Sequence, residues 1–220
     1  MENKNRQEIK AARTAVSKLF ENADHSFTKE IYLEDIHYQD DEGNWKDMDD
    51  TLTEAVDIEE PDSDETAELY TARTAAEKDY TNKKGKWKVV FRKHSRKQGT
   101  VSVAKDRYKI SWALENTQKV KAEETEPGTV LYPDILPGVD SRFCVRGENV
   151  KEDIILKEPG SSFSFTWLYH TKKLHPIKTG SCVQFFNDEN EEIFAVSAPF
   201  MRDFAGKKSE KIQKKFSLNW

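Results

Sequence analysis

The chain has 220 residues, 36% hydrophobic and 34% charged, with a formal net charge of −5. That balance fits a globular chain with enough apolar residues for a core, folded as one large β domain or two small ones. No stretch approaches the about 20 consecutive apolar residues that span a bilayer, so membrane insertion is not expected.

No apolar export-signal core follows Met1. The chain is therefore expected to be intracellular or an excerpt of a longer exported protein. From Arg6 to Phe20, Ile9, Ala12, Val16 and Phe20 fall near helical spacing, which fits either a short helix or an extended lead-in. From Thr28 the period becomes two, with Ile31 and Leu33 against Glu30, Tyr32 and Glu34. Asp40-Asp41-Glu42-Gly43-Asn44 is turn chemistry, and Trp45 opens the return strand of a hairpin. The acidic loop 54–68, with Pro61, is solvated and marks a candidate subdomain boundary.

Trp87, Val89 and Phe91 share one strand face, and Gln98-Gly99 breaks the run. Val101 and Val103 follow, then a turn at Lys105-Asp106-Arg107. Tyr108, Ile110, Trp112 and Leu114 alternate with Lys109, Ser111 and Ala113, the strongest strand pattern in the chain. Glu123 to Gly128 reads as a polar connection, and Val130-Leu131-Tyr132 as a short strand ended by Pro133. Turns are expected at Leu136-Pro137-Gly138 and Arg146-Gly147-Glu148-Asn149, flanking a strand from Val139 to Val145 and a return to Leu156. Phe163, Phe165, Trp167 and Tyr169 form an aromatic face. Leu174 to Thr179, with Pro176, is a loop or sheet edge. A hairpin is centred on Asn187-Asp188-Glu189-Asn190, and Ile212, Lys214 and Phe216 begin a last strand. Strands recurring about every ten residues predict an all-β, antiparallel, sandwich-like fold of two packed sub-sheets.

Two blocks, taken together, resemble one family. His37-Tyr38-Gln39-Asp40 with Gly43-Asn44-Trp45-Lys46-Asp47 and Asp50-Thr51-Leu52 is the first. Tyr132-Pro133-Asp134-Ile135-Leu136-Pro137-Gly138-Val139-Asp140 with Val150-Lys151-Glu152 is the second. Asp106 to Trp112 and Ala198 to Asp203 add weaker blocks in the same order, although Arg107 stands where the family usually has Gly. In these blocks the chain resembles the N-terminal β-rich region of wall-associated, RHS (YD-repeat) surface proteins of Gram-positive bacteria. The resemblance implies an extracellular, cell-wall location and a longer parent with YD repeats, often ending in a toxin module. It implies no catalytic residues here.

The remaining motifs have bland alternatives. Asp40, Asp41, Glu42, Asp47, Asp49 and Asp50 are oxygen ligands of the kind Ca²⁺ takes, but they lack EF-hand spacing and fit a solvated hairpin. Cys144 and Cys182 form no CxxC, which argues against a thiolate zinc site; a single disulfide or two free thiols both fit. No HExxH, G-x-S-x-G, P-loop or Rossmann fingerprint occurs. His170 and His175 could meet, but catalysis would need a positioned partner. The basic run Lys83-Lys84-Gly85-Lys86-Trp87-Lys88 alternates like a strand within an acidic chain, so nucleic acid is not expected as a partner.

The reading is a single β-rich module, residues 1–220, cut from a longer protein. It is expected to be a non-catalytic structural or adhesive module, not an enzyme, with no cofactor and no metal. A module binding cell-wall glycan is the alternative, with Tyr32 and Tyr38 as candidate ligand-binding rings on the polar side of their strands. A glycan-active hydrolase is a third reading. The expected partners are other domains of the parent.

Overall fold

The computed structural model describes residues 6–55, 78–97, 99–158, 164–203 and 205–209. Most of the acidic loop 54–68, together with Phe163 and the strand expected around Ile212, Lys214 and Phe216, lies outside the described residues. The described fold is all-β and antiparallel, as the alternation predicts.

The N-terminal segment takes the extended alternative. β1 (Arg6–Glu8), a single 3-10 turn at Lys10–Ala12, β2 (Ser17–Asn22) and β3 (Phe27–Ile31) form a three-stranded sheet. Ile9 and Ala12 are spaced for a helix, but tertiary pairing with β2 overrides that weak local preference. β4 (His37–Gln39) and β5 (Trp45–Asp47) make a short hairpin. In its turn the Asp40 carboxylate accepts the backbone N–H of Asn44 at 2.8 Å and of Glu42 at 3.2 Å.

The centre is a six-stranded sheet. Its strands are β6 (Asp49–Glu54), β7 (Tyr80–Lys84), β8 (Lys88–Phe91), β9 (Val101–Lys105), β10 (Tyr108–Leu114) and β15 (Trp167–Lys172), with β15 on one edge beside β10. A four-stranded sheet follows, built from β11 (Glu123–Glu126), β12 (Thr129–Leu136), β13 (Val139–Arg146) and β14 (Asn149–Leu156). β16 (His175–Thr179), β17 (Cys182–Phe186) and β18 (Glu192–Val196) form a three-stranded sheet, with Pro176 on its edge strand as a residue without an N–H requires. β19 (Met201–Arg202) pairs with β20 (Lys208–Ser209).

The hairpins are tight because their turn residues accept positive φ. Gly147 (φ +56) sits between paired Arg146 and Asn149, the glycine-first pattern of a two-residue loop matched to strand twist. β12 runs on through Pro133, where a short strand was expected to end. The register shifts between Tyr132 and Leu136, and this irregularity accommodates the proline. The polar connection expected at Glu123 to Gly128 is instead edge strand β11, fully exposed. β7 had no clear apolar alternation to reveal it, since it reads Tyr-Thr-Asn-Lys-Lys.

The six-stranded and four-stranded sheets pack face to face. Phe143 of β13 lies 6.1 Å from Phe91, 6.4 Å from Trp112 and 5.8 Å from Tyr132, ring centre to ring centre. Val89, Phe91, Val101, Val103, Ile110, Val130 and Val145 fill the space between. Trp112 is buried, and Trp87 and Trp167 pack against the core. Ile31 and Leu33 depart from expectation: they are 72% and 104% exposed. Cys144 and Cys182 are free thiols.

Candidate nucleic-acid interface

Strand register decides which side chains of the central sheet meet. Lys88 pairs with Ala104, Ala104 with Lys109, and Lys109 with Lys172. Directly paired residues point to the same face, so three lysines and one alanine form a row across β8, β9, β10 and β15. The row lies on the face opposite Val89, Val103 and Ile110, away from the sandwich core. Strands about 4.8 Å apart place Lys109 beside Lys172, with Lys88 roughly 10 Å away across the small Ala104. Burial, then the charge of Lys109, lowers the pKa of Lys88. Like charges are thus held close enough to oppose one another.

The next row on this face is Val90, Ser102, Ser111 and His170. Gly99 (φ +105) crosses it, and a Cβ there would come within 3.0 Å of the Ser111 Cβ. The chain therefore covers this face beside Ser111, while Lys172 and His170 are exposed. Ammonium groups on this face can neutralise phosphate.

A cavity of about 210 Å³ is lined by Arg107, Tyr108, Lys173, Asp188 and Glu189. Arg107 belongs to the β9–β10 turn, and Lys173 follows the Lys172 end of the row. Sequence reading singled out none of these residues as a site. The signal was present as lysines at alternate strand positions, but their alignment depends on register, which one strand does not display.

The candidates read from the sequence lie elsewhere. Tyr32 is 38% exposed and donates its hydroxyl to Glu30 at 2.8 Å, which raises the pKa of the phenol. Tyr38 is half-buried in β4, opposite Lys46. His170 faces outward on β15, and His175 stacks on Phe186 at 6.1 Å. His37 is buried; its Nδ1 is 2.7 Å from the Thr14 carbonyl and its Nε2 3.4 Å from Asp47. The first resemblance block is therefore an anchor between hairpin and lead-in. Among the described residues no cluster of three or more His, Cys, Asp or Glu could hold a metal ion.

Comparison with known proteins adds what the geometry lacks. The wall-associated protein of Geobacillus stearothermophilus is 24% identical over 209 residues, covering 89% of this chain and 74% of that protein. The chain is similar to a wall-associated protein along most of its length. The tRNA nuclease WapA of Bacillus subtilis strain 168 is 23% identical over 197 residues, covering 89% of this chain and 8% of the nuclease. The tRNA(Glu)-specific nuclease WapA of Bacillus subtilis subsp. natto strain BEST195 is 22% identical over the same length, again 89% and 8%. The chain thus spans 8% of the length of these two relatives. No family profile and no solved structure matches it. The wall-associated relative supports a cell-surface setting, and no helix among the described residues is long and apolar enough to cross a membrane.

These relatives correct three expectations. The expected function, a non-catalytic structural or adhesive module with glycan binding or glycan hydrolysis as alternatives, is overturned by relatives named as tRNA nucleases. The expectation of no enzyme falls with it, and so does the exclusion of nucleic acid as a partner. A net charge of −5 averages over a molecule in which Lys88, Lys109 and Lys172 share one sheet face.

Proposed function

We propose that this chain is part of a wall-associated tRNA nuclease and that its lysine row holds the phosphate backbone of RNA. The observation that carries the reading is the match of 89% of the chain to proteins named as tRNA nucleases. The row of Lys88, Lys109 and Lys172 supports it by offering aligned cations to a polyanion. Cleavage is proposed for the parent as a whole. In the same proposal the chain is one β-rich module of that parent, and YD repeats lie elsewhere in it. Tyr32 and Tyr38 are further candidate contacts, as rings on which bases stack.

The test has two arms. Full-length parent protein incubated with tRNA is expected to cleave it; intact tRNA would overturn the nuclease reading. The purified chain is expected to bind tRNA with a salt-dependent affinity, and the triple variant Lys88→Gln, Lys109→Gln, Lys172→Gln is expected to flatten that dependence. Each phosphate that a lysine neutralises adds about 0.7–0.9 to the steepness of the log–log slope. An unchanged slope would remove the row from the interface.

A further inference from the structure

β3 is the outer strand of the N-terminal sheet and, among the described residues, pairs with β2 alone. Beyond one end of that pairing the N–H of Tyr32 donates to the Val16 carbonyl at 2.8 Å; beyond the other, the N–H of Asn22 donates to the Ser26 carbonyl at 2.9 Å. Bonded and unbonded pairs alternate along an antiparallel ladder. Between those ends Lys18–Glu30 and Phe20–Thr28 therefore fall on bonded pairs. Phe27, Lys29 and Ile31 fall on the others, so their N–H and C=O groups point away from β2, to the open edge.

The side chains of the same three residues are exposed, Phe27 by 63%. Leu33, just past the strand, continues this apolar stripe into solvent. On the opposite face Glu30 is already engaged, by Arg6 at 2.7 Å and by the Tyr32 hydroxyl. A bare edge with apolar side chains recruits a further strand, and folded proteins blunt or cover such edges. Unpaired ladder groups supply affinity for an added strand, and alternate side chains supply its specificity.

Lys29 decides which strand fits. It stands between Phe27 and Ile31, and among the described residues it forms no ion pair. A second copy of β3 that set Phe27 against Ile31 would set Lys29 against Lys29, and like charges directly opposite are destabilising. The complementary strand carries an acidic residue opposite Lys29 and apolar residues at the alternate positions beside it. The chain covers only 8% of the nuclease relatives, so a protein of that kind has ample further chain to supply one.

We propose that the edge of β3 docks a strand from another domain of the parent protein, apolar at alternate positions around a central acidic residue. The inference rests on the reading of this chain as one module of a longer parent, and not on RNA binding.

Hydrogen–deuterium exchange read by mass spectrometry, on the purified chain and on the full-length parent, tests it. Segment 27–33 is expected to exchange at least about tenfold more slowly in the parent, as amides newly held in a ladder do. In the purified chain it is expected to exchange fast at every protein concentration. Lys29→Glu in the parent is expected to restore fast exchange in 27–33 while β2, read in the same spectra, keeps its protection. Equal exchange of 27–33 in chain and parent would overturn the proposal. Protection that survives Lys29→Glu would overturn the acidic partner. Protection in the purified chain that grows with its concentration would make a second copy the occupant and overturn it too. Cleavage of tRNA by the same parent preparation is read separately, so loss of the nuclease reading and loss of the docking edge are told apart.

Discussion

The indole N–H of Trp112 donates to the Glu152 carboxylate at 3.1 Å, tying the six-stranded sheet to the four-stranded one. Trp167 donates to both oxygens of the same carboxylate at 3.0 Å. One acceptor thus satisfies two indoles at the sandwich seam, where an unpaired donor is costly.

Removing that acceptor is expected to destabilise the fold. Glu152→Ala leaves two indole donors without it and should cost about 2–4 kcal/mol in urea denaturation. Glu152→Gln keeps an accepting oxygen and should cost about 1 kcal/mol. The alanine variant combined with Trp112→Phe should recover part of the loss; a Glu152→Ala variant as stable as the parent chain would show that the carboxylate contributes little.

Phe143 is 2% exposed and touches rings of both sheets. Phe143→Ala should destabilise by about 3–5 kcal/mol through reduced burial and the cavity left behind. Tyr132, fully buried, donates its hydroxyl to the Arg92 carbonyl at 2.6 Å, and burial holds its phenol well above the usual range. Tyr132→Phe should cost about 1 kcal/mol. Thermal melts of the two variants would rank them, and a larger loss for Tyr132→Phe would contradict the ring-packed seam.

The N-terminal sheet should be acid-sensitive. Hydrogen bonds from Arg13, at 2.7 and 2.9 Å, lower the pKa of Glu8 against the opposing effect of burial. At Asp47, burial raises the pKa, but Lys18 and Arg13 outweigh it and the net shift is downward. Folded pKa values below the unfolded ones mean stability that is complete above the unfolded values of about 4 and lost as pH falls through the folded ones. The melting temperature should therefore drop below about pH 4, and Arg13→Gln should flatten that drop. A profile identical in the variant would show that the cluster does not set it.

The lysine row sets an expected salt behaviour. Variants of Lys88, Lys109 and Lys172 should each make the salt dependence of tRNA binding less steep. Filter binding across a salt series reads that slope; a slope that none of the three variants moved would contradict the lysine-row reading.

Strand class and most turns are legible in the residues alone. Period-two alternation in Tyr108 to Leu114 can bury only one face, and Gly138 and Gly147 mark loops whose positive φ favours glycine. Strands lacking that signature were hidden: β7 reads as polar, and β12 passes a proline because its register shifts there. Which residues become neighbours was set only when the strands paired and the sheets packed. Lys88, Lys109 and Lys172 lie on three strands and align only through pairing register, and Tyr108 and Asn187 meet across 79 positions of chain. Local propensity acts within a strand, whereas a site of this kind is assembled by contacts between strands, whose register one strand does not encode.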